Sequence, residues 1–350
     1  YASNADYMVF QGNLVGVDYD TLTAGGMSNY AVIGVSSDSV LILDNIIGFN
    51  GASTTYTAIR FTTGNYGHIR GNYIGVSPSG VDFGNAGGGV APDISNVVIG
   101  GPNEADRNYI AGNGSNGVSS LGHYGIVQNN YIGITPQGTV LGNSGTGVAI
   151  SNRDYGQVLY NVITGNTSHG ISFNSTPDSV VIIGNLIGLT PDTLSAPGNG
   201  SSTDGIHINF GSKARILNNY IGSAGQWGIR IYFDSDDTKI QGNVIGTGLT
   251  GTEDFGCGYG GITAVYRPSF SVIGGNLPGQ ENIIAYNNGP AIDFDLPTSG
   301  TSATESFFVL NNSIYENNEG IVANSPSTSG AVLNKGILPP VIQTFNASTI

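Results

Sequence analysis

Apolar and polar residues alternate along this chain in short runs, and the runs recur. Val40 and Ile42 precede Asn45, Val180 and Ile182 precede Asn185, and Phe307 and Val309 precede Asn312. Alternation over so few positions predicts a strand with one buried face. The Asn that follows is expected to turn the chain, because Asn tolerates left-handed backbone and bonds locally to it. An apolar residue two positions later points inward again, and a Gly permits the next bend. A third short strand follows, as in Gly205-Ile206-His207-Ile208, Gly228-Ile229-Arg230-Ile231 and Gly261-Ile262-Thr263-Ala264, with two inward positions around one outward position. No segment holds a long 3.6-residue apolar period, so little helix is expected.

The unit repeats. Its marker Asn stands at 13, 45, 72, 108, 130, 161, 185, 219, 243, 282 and 312, with separations as short as 22 to 24 and variable excess. A fixed coil with loops of different length explains this, and three short strands per coil make a solenoid. About 11 coils spaced by about 4.8 Å give a rod of roughly 50 Å. Successive marker amides should stack as a hydrogen-bonded ladder. Five inserts (17–30, 76–89, 134–147, 189–205 and 247–261) follow the marker Gly and should all leave one corner, as a binding face or as the corner that best tolerates insertion. Residues 7–13 are already in register without a capping helix, so this end should template further strands. The repeat fades after Ala323. Residues 1–324 read as the solenoid, and 325–350 as a Pro/Ser-rich C-terminal extension or the start of a further domain.

Composition narrows the partners. A net charge of −14 argues against nucleic acid and anionic membranes. No apolar run approaches the roughly 18 residues of a membrane helix, so no span is expected in this segment. Cys257 is the single cysteine, so the fold must hold without an intrachain disulfide. The chain begins at Tyr1, which reads as a processed mature chain or a fragment.

The repeated Gly71-Asn72-Tyr73-Ile74-Gly75, Asn129-Asn130-Tyr131-Ile132-Gly133 and Asn218-Asn219-Tyr220-Ile221-Gly222, with Val98-Ile99-Gly100-Gly101-Pro102-Asn103 and Val272-Ile273-Gly274-Gly275-Asn276, resemble the right-handed parallel β-helix repeat (pectate-lyase-like) superfamily, above all repeat regions of large secreted microbial surface proteins. The resemblance implies an all-β, single-stranded right-handed parallel β-helix, a secreted or cell-surface location, and polysaccharide, cell surface or head-to-tail copies of the chain as partners. Hydrolases of the superfamily carry Asn-Thr-Asp, Asp-Asp, Gly-His-Gly and Arg-Ile-Lys motifs, which are not matched here. Its lyases set an Arg beside calcium-binding acids, which Arg230 near Asp234, Asp236 and Asp237 echoes loosely. No catalytic residue is carried over.

The outward column of the third strand still concentrates chemistry. Ser172, His207, Arg230, Thr263 and Asp293 should lie a rung apart, with His169, Asp204 and Trp227 at the position before the Gly. His169, Asp204, His207 and Arg230 are the weak catalytic candidates, able together to move a proton at a glycosidic centre. Trp227, Tyr232 and Asp293 are the carbohydrate-binding candidates. Asp234, Asp236 and Asp237 could bind calcium, against the blander reading of an acidic solvent turn. Sequons stand at Asn113, Asn166, Asn174, Asn199, Asn311 and Asn346. Cys257 reads as inert. The leading expectation is a structural or adhesive solenoid, stacking end to end as a filament in its sharper form. The alternatives are a polysaccharide lyase or hydrolase and a non-catalytic glycan-binding adhesin.

Overall fold

A computed structural model describes residues 2–3, 7–18, 32–35, 39–51, 53–151, 154–232, 235–265, 270–295 and 308–323. Much of the first insert, Asp234, Asn346 and the extension 325–350 lie outside the described residues. The chain winds through three parallel faces in turn. The first sheet holds eleven strands, from Met8–Gln11 to Phe308–Leu310, and the second holds eleven short ones, from Leu14–Val15 to Ser313–Tyr315. The third is divided into four strands and seven, and Val118 spans the gap with single bridges to Val90 and Val148. The three strands per coil that the sequence predicts are present. Among the described residues the one helical turn is a 3-10 segment, Glu104–Asp106.

The core is a set of stacked aliphatic columns. Ile182, Ile216 and Ile240 continue one another inside the first sheet, Ile187, Ile221 and Ile245 inside the second, and Ile208, Ile231 and Ala264 inside the third, all fully buried. Each face of a short coil is too small to bury its own apolar side, so stability comes from stacking on the coils above and below.

The marker asparagines form the expected ladder. Each Nδ2 from Asn13 to Asn282 donates to the Oδ1 of the marker in the next coil at 2.8–3.0 Å. The left-handed backbone belongs to a neighbour, not to the marker itself. Gly12, Asp44, Gly71, Asn129, Tyr160, Gly184, Asn218, Gly242 and Asn311, each just before a marker, carry the positive φ. This placement leaves the marker side chain pointing into the rod, where it caps both its own and its neighbour's backbone.

The inserts 76–89, 134–147, 189–205 and 247–261 all leave the corner between the second and third sheets. Two of them fold back as small hairpins, with antiparallel bridges Val76–Asp82 and Ile134–Val140. Two further excursions, residues 101–108 and 275–282, leave the corner before the second sheet and, with the inserts 76–89 and 247–261, make the long spacing ahead of Asn108 and Asn282. A second asparagine ladder runs along the insert corner. It links Asn50, Asn85, Asn113, Asn143, Asn166 and Asn199, and resumes at Asn287 and Asn317. Between the two stretches Ala224 and Cys257 take its place.

Three of the sequon asparagines are members of this second ladder. Asn113, Asn166 and Asn199 are buried and their amides donate to protein acceptors, so a glycan there would break the ladder. Asn174 and Asn311 are half-buried.

Candidate functional site

The outward column of the third sheet is as the alternation predicts. Ser172 lies beside His207, His207 beside Arg230, Arg230 beside Thr263 and Thr263 beside Asp293. Two positions ahead of their strands stand His169 and Asp204, and Trp227 opens the next strand. At the centre is the Asp204 carboxylate, which is fully buried. One oxygen accepts the backbone N–H of Trp227 at 3.1 Å. The other accepts from His207 Nδ1 at 2.8 Å and lies 3.6 Å from the Arg230 guanidinium. Because a carboxylate can only accept, His207 carries its proton on Nδ1, and Nε2 is left with the lone pair in the neutral ring. This is the arrangement in which an acid orients an imidazole that exchanges protons through its other nitrogen.

His169 is set differently. Its Nδ1 accepts the backbone N–H of Asp204 at 3.0 Å, and its ring lies 4.7 Å from that of His207. Burial, then the neighbouring His207, holds its pKa below the ordinary imidazole value, so it is neutral at pH 7. Arg230 donates to Gln226 Oε1 at 3.2 Å, while its Nε is buried without a protein hydrogen bond. The Tyr232 ring is inclined 28° to that of His207, with centroids 6.4 Å apart. The four weak catalytic candidates thus converge on one carboxylate.

The sugar-binding candidates divide. Trp227 is 8 % exposed, and its ring covers Gly260, where a side chain would collide with it. It is therefore not an open platform. It lines a shallow groove of about 480 Å³ with Pro290, Asp293 and Tyr259, and Tyr259 is the exposed aromatic there. Tyr259 stands inside an insert, outside the alternation that flagged the rest.

Of the calcium candidates, Asp234 lies outside the described residues. Asp237 is paired with Arg215 at 3.3 Å, and its carbonyl accepts from the same guanidinium at 2.6 Å. The acidic-turn reading accounts for both contacts. Among the described residues, one group of three His, Cys, Asp or Glu side chains brings its ligand atoms within 4.8 Å of one another: His169, Asp204 and His207. Cys257 is fully buried and its thiol is pushed up to about 12 by desolvation, which makes it the inert residue the sequence suggests. Among the described residues, no helix is long and apolar enough to cross a membrane.

The model of one protein family, described as periplasmic copper-binding protein (NosD), matches residues 91–248. No curated protein matches the chain. Among solved structures, the Dettilon tailspike protein is 13 % identical with a TM-score of 0.46 over 93 % of this chain, which spans 63 % of the tailspike's length. The A-module of the Azotobacter vinelandii mannuronan C-5 epimerase AlgE6 is 12 % identical with a TM-score of 0.41, over 94 % of this chain and 89 % of that one. PfbA, a surface adhesin of Streptococcus pneumoniae, is 14 % identical with a TM-score of 0.30, over 98 % and 89 %. With three parallel faces wound as successive coils of a single chain, the protein has the parallel β-helix fold.

Proposed function

We propose that this chain is an extracytoplasmic β-solenoid, of the periplasm or the cell surface, that holds a uronate-bearing polysaccharide on its third sheet and abstracts a proton from it at His207. One observation carries the reading: a fully buried carboxylate, Asp204, bonded to His207 Nδ1 at 2.8 Å. Removing a carboxylate from water costs several kcal/mol, which an outward face that only meets solvent has no need to spend. In the step proposed, Nε2 takes the proton α to the sugar carboxylate, and the partly exposed Arg230 guanidinium neutralises that carboxylate. The electron pair then expels the 4-linked oxygen, which leaves with a proton from Tyr232 or water, and a C=C bond forms.

The test is to incubate the protein with polygalacturonate and alginate and follow the absorbance of the unsaturated product. His207→Ala and Arg230→Ala should abolish the signal while leaving the circular dichroism spectrum unchanged. If neither polymer is cleaved, the catalytic reading fails. A glycan-binding adhesin without turnover is the second reading, favoured by the groove beside the cluster, where Tyr259, Trp227 and Pro290 offer apolar faces and Asp293 a polar one. It predicts that Tyr259→Ala loses glycan affinity and His207→Ala does not. End-to-end stacking of rods is a separate proposal, which electron microscopy decides: continuous fibres favour it and isolated rods reject it.

Copper, named in the matched family's description, does not fit the histidine cluster. The His169 Nδ1 lone pair is taken by a backbone N–H and His207 Nδ1 is spent on Asp204, so the two Nε2 atoms are the only imidazole ligands left, and the Arg230 guanidinium beside Asp204 repels a second cation. Titration with copper(II), and with calcium, should release no heat from this site.

A further inference from the structure

A different face carries an aromatic column that the His207 site does not use. Tyr73, Tyr109 and Tyr131 occupy one outward register of the second sheet in three successive coils. The first pair is stacked with centroids 5.2 Å apart, and the second meets edge to face at 5.3 Å. The excursion 101–108 rises beside this column as a wall. Its Arg107 guanidinium lies 4.3 Å from the Tyr131 centroid, fixed by Glu104 at 3.3 Å and by Asn129 Oδ1 at 3.0 Å. A trough opens on each side of Arg107, of about 750 Å³ towards Asp44 and Tyr73 and about 650 Å³ towards Tyr160 and Pro191. The two share Glu104 and Arg107, so they form one channel along the rod. At its far end the half-exposed ring of Tyr160 lies over Gly184, whose missing side chain leaves room for it.

We infer that this channel binds an uncharged glycan in extended form, parallel to the rod axis. A rung of about 4.8 Å matches the advance of one sugar along an extended chain, so consecutive sugars meet consecutive tyrosines. The stacked pair Tyr73–Tyr109 and the Arg107-covered Tyr131 offer ring edges and hydroxyls to a sugar, and the half-exposed Tyr160 offers an apolar face to its C–H groups. The charge pattern selects against a polyanion: the Arg107 cation is matched by Glu104, and Asp44 adds a further carboxylate to the rim. Carboxylates facing a polyuronate would repel it, whereas they accept hydrogen bonds from the hydroxyls of a neutral sugar.

The experiment is isothermal titration of the intact chain with β-1,4-linked hexasaccharides of glucose, mannose and xylose, and with hexagalacturonate. At least one neutral hexasaccharide should bind. Tyr109→Ala should weaken that binding about tenfold, the worth of one aromatic contact. Tyr160→Ala, at an exposed turn where folding is not at stake, should weaken it several-fold, and His207→Ala should leave it unchanged. The inference is overturned if none of the three binds at millimolar concentration, if the tyrosine variants bind as the parent does, or if hexagalacturonate occupies the channel in their place. Loss of polyuronate cleavage in His207→Ala bears on the other face alone, so the two readings fail separately.

Discussion

The two asparagine ladders run along neighbouring corners of one rod, and only the first continues through every coil. At the corner between the first and second sheets the usual connection is two residues, such as Gly12-Asn13 or Gly71-Asn72. A turn that short has one geometry, so the same amide is needed each time, and even the excursions 101–108 and 275–282 return to an Asn before the next strand. At the insert corner the chain leaves and re-enters by paths of different length. There the ladder breaks at Ala224 and Cys257, in the first and second coils beyond the one that holds Asp204. A corner under tight geometric constraint keeps its chemistry, and a corner that already varies in path can lose an amide.

Substitutions put this contrast to the test. The largest effect is expected for Asn185→Ala, in the middle of the unbroken ladder. Its side chain makes five hydrogen bonds, and their loss leaves buried backbone groups unpaired. Stability should fall by about 3 kcal/mol, read from urea unfolding, and an unchanged midpoint would refute the structural role. Asn143→Ala, in the second ladder, removes four bonds and should cost about 2 kcal/mol. A loss larger than that of Asn185→Ala would reverse the ranking of the two corners.

Acid should weaken the fold through the site. The folded pKa of His169 lies below its unfolded value of 6.5 because the ring is buried. Between the two values the unfolded chain holds a proton that the folded chain does not. The stability is therefore complete above about pH 6.5, declines as pH falls towards the folded pKa, and levels off below it. His68, also held low by burial, acts with the same sign. His169→Gln should flatten part of the decline in unfolding midpoint between pH 7 and pH 5 in a pH series about that value, and an unaltered slope would show that His169 does not contribute. The smallest effect belongs to the break. Cys257→Asn should change stability by less than about 1 kcal/mol, since Asn287 is already bonded by the backbone N–H of residue 257. The native thiol should resist iodoacetamide and react once the chain is unfolded.

Much of the site was legible because a strand has period two and a coil repeats. Those two facts alone place His207 beside Arg230 and put Asp204 and Trp227 at the position before the Gly in successive coils. They carry no information on depth. Trp227 looked outward in the sequence, but it is covered once the next coil brings Gly260 beneath its ring. The second ladder had a signal too. Gly-Asn recurs at Gly84-Asn85, Gly112-Asn113, Gly142-Asn143, Gly165-Asn166 and Gly198-Asn199, and Gly256-Cys257 fits the same slot. Three of those asparagines sit in sequons, whose local pattern masks a role that depends on the coils above and below.

The sequence by itself determined the coil, the three faces and the first ladder, because apolar alternation and a short Asn turn are local properties that the chain repeats. Burial of Asp204, its bond to His207, and the meeting of Tyr73, Tyr109 and Tyr131 beside Arg107 were decided by the tertiary structure. Residues 22 to 39 apart in the chain become neighbours at rung distance only when the length of every intervening loop has been absorbed at a corner.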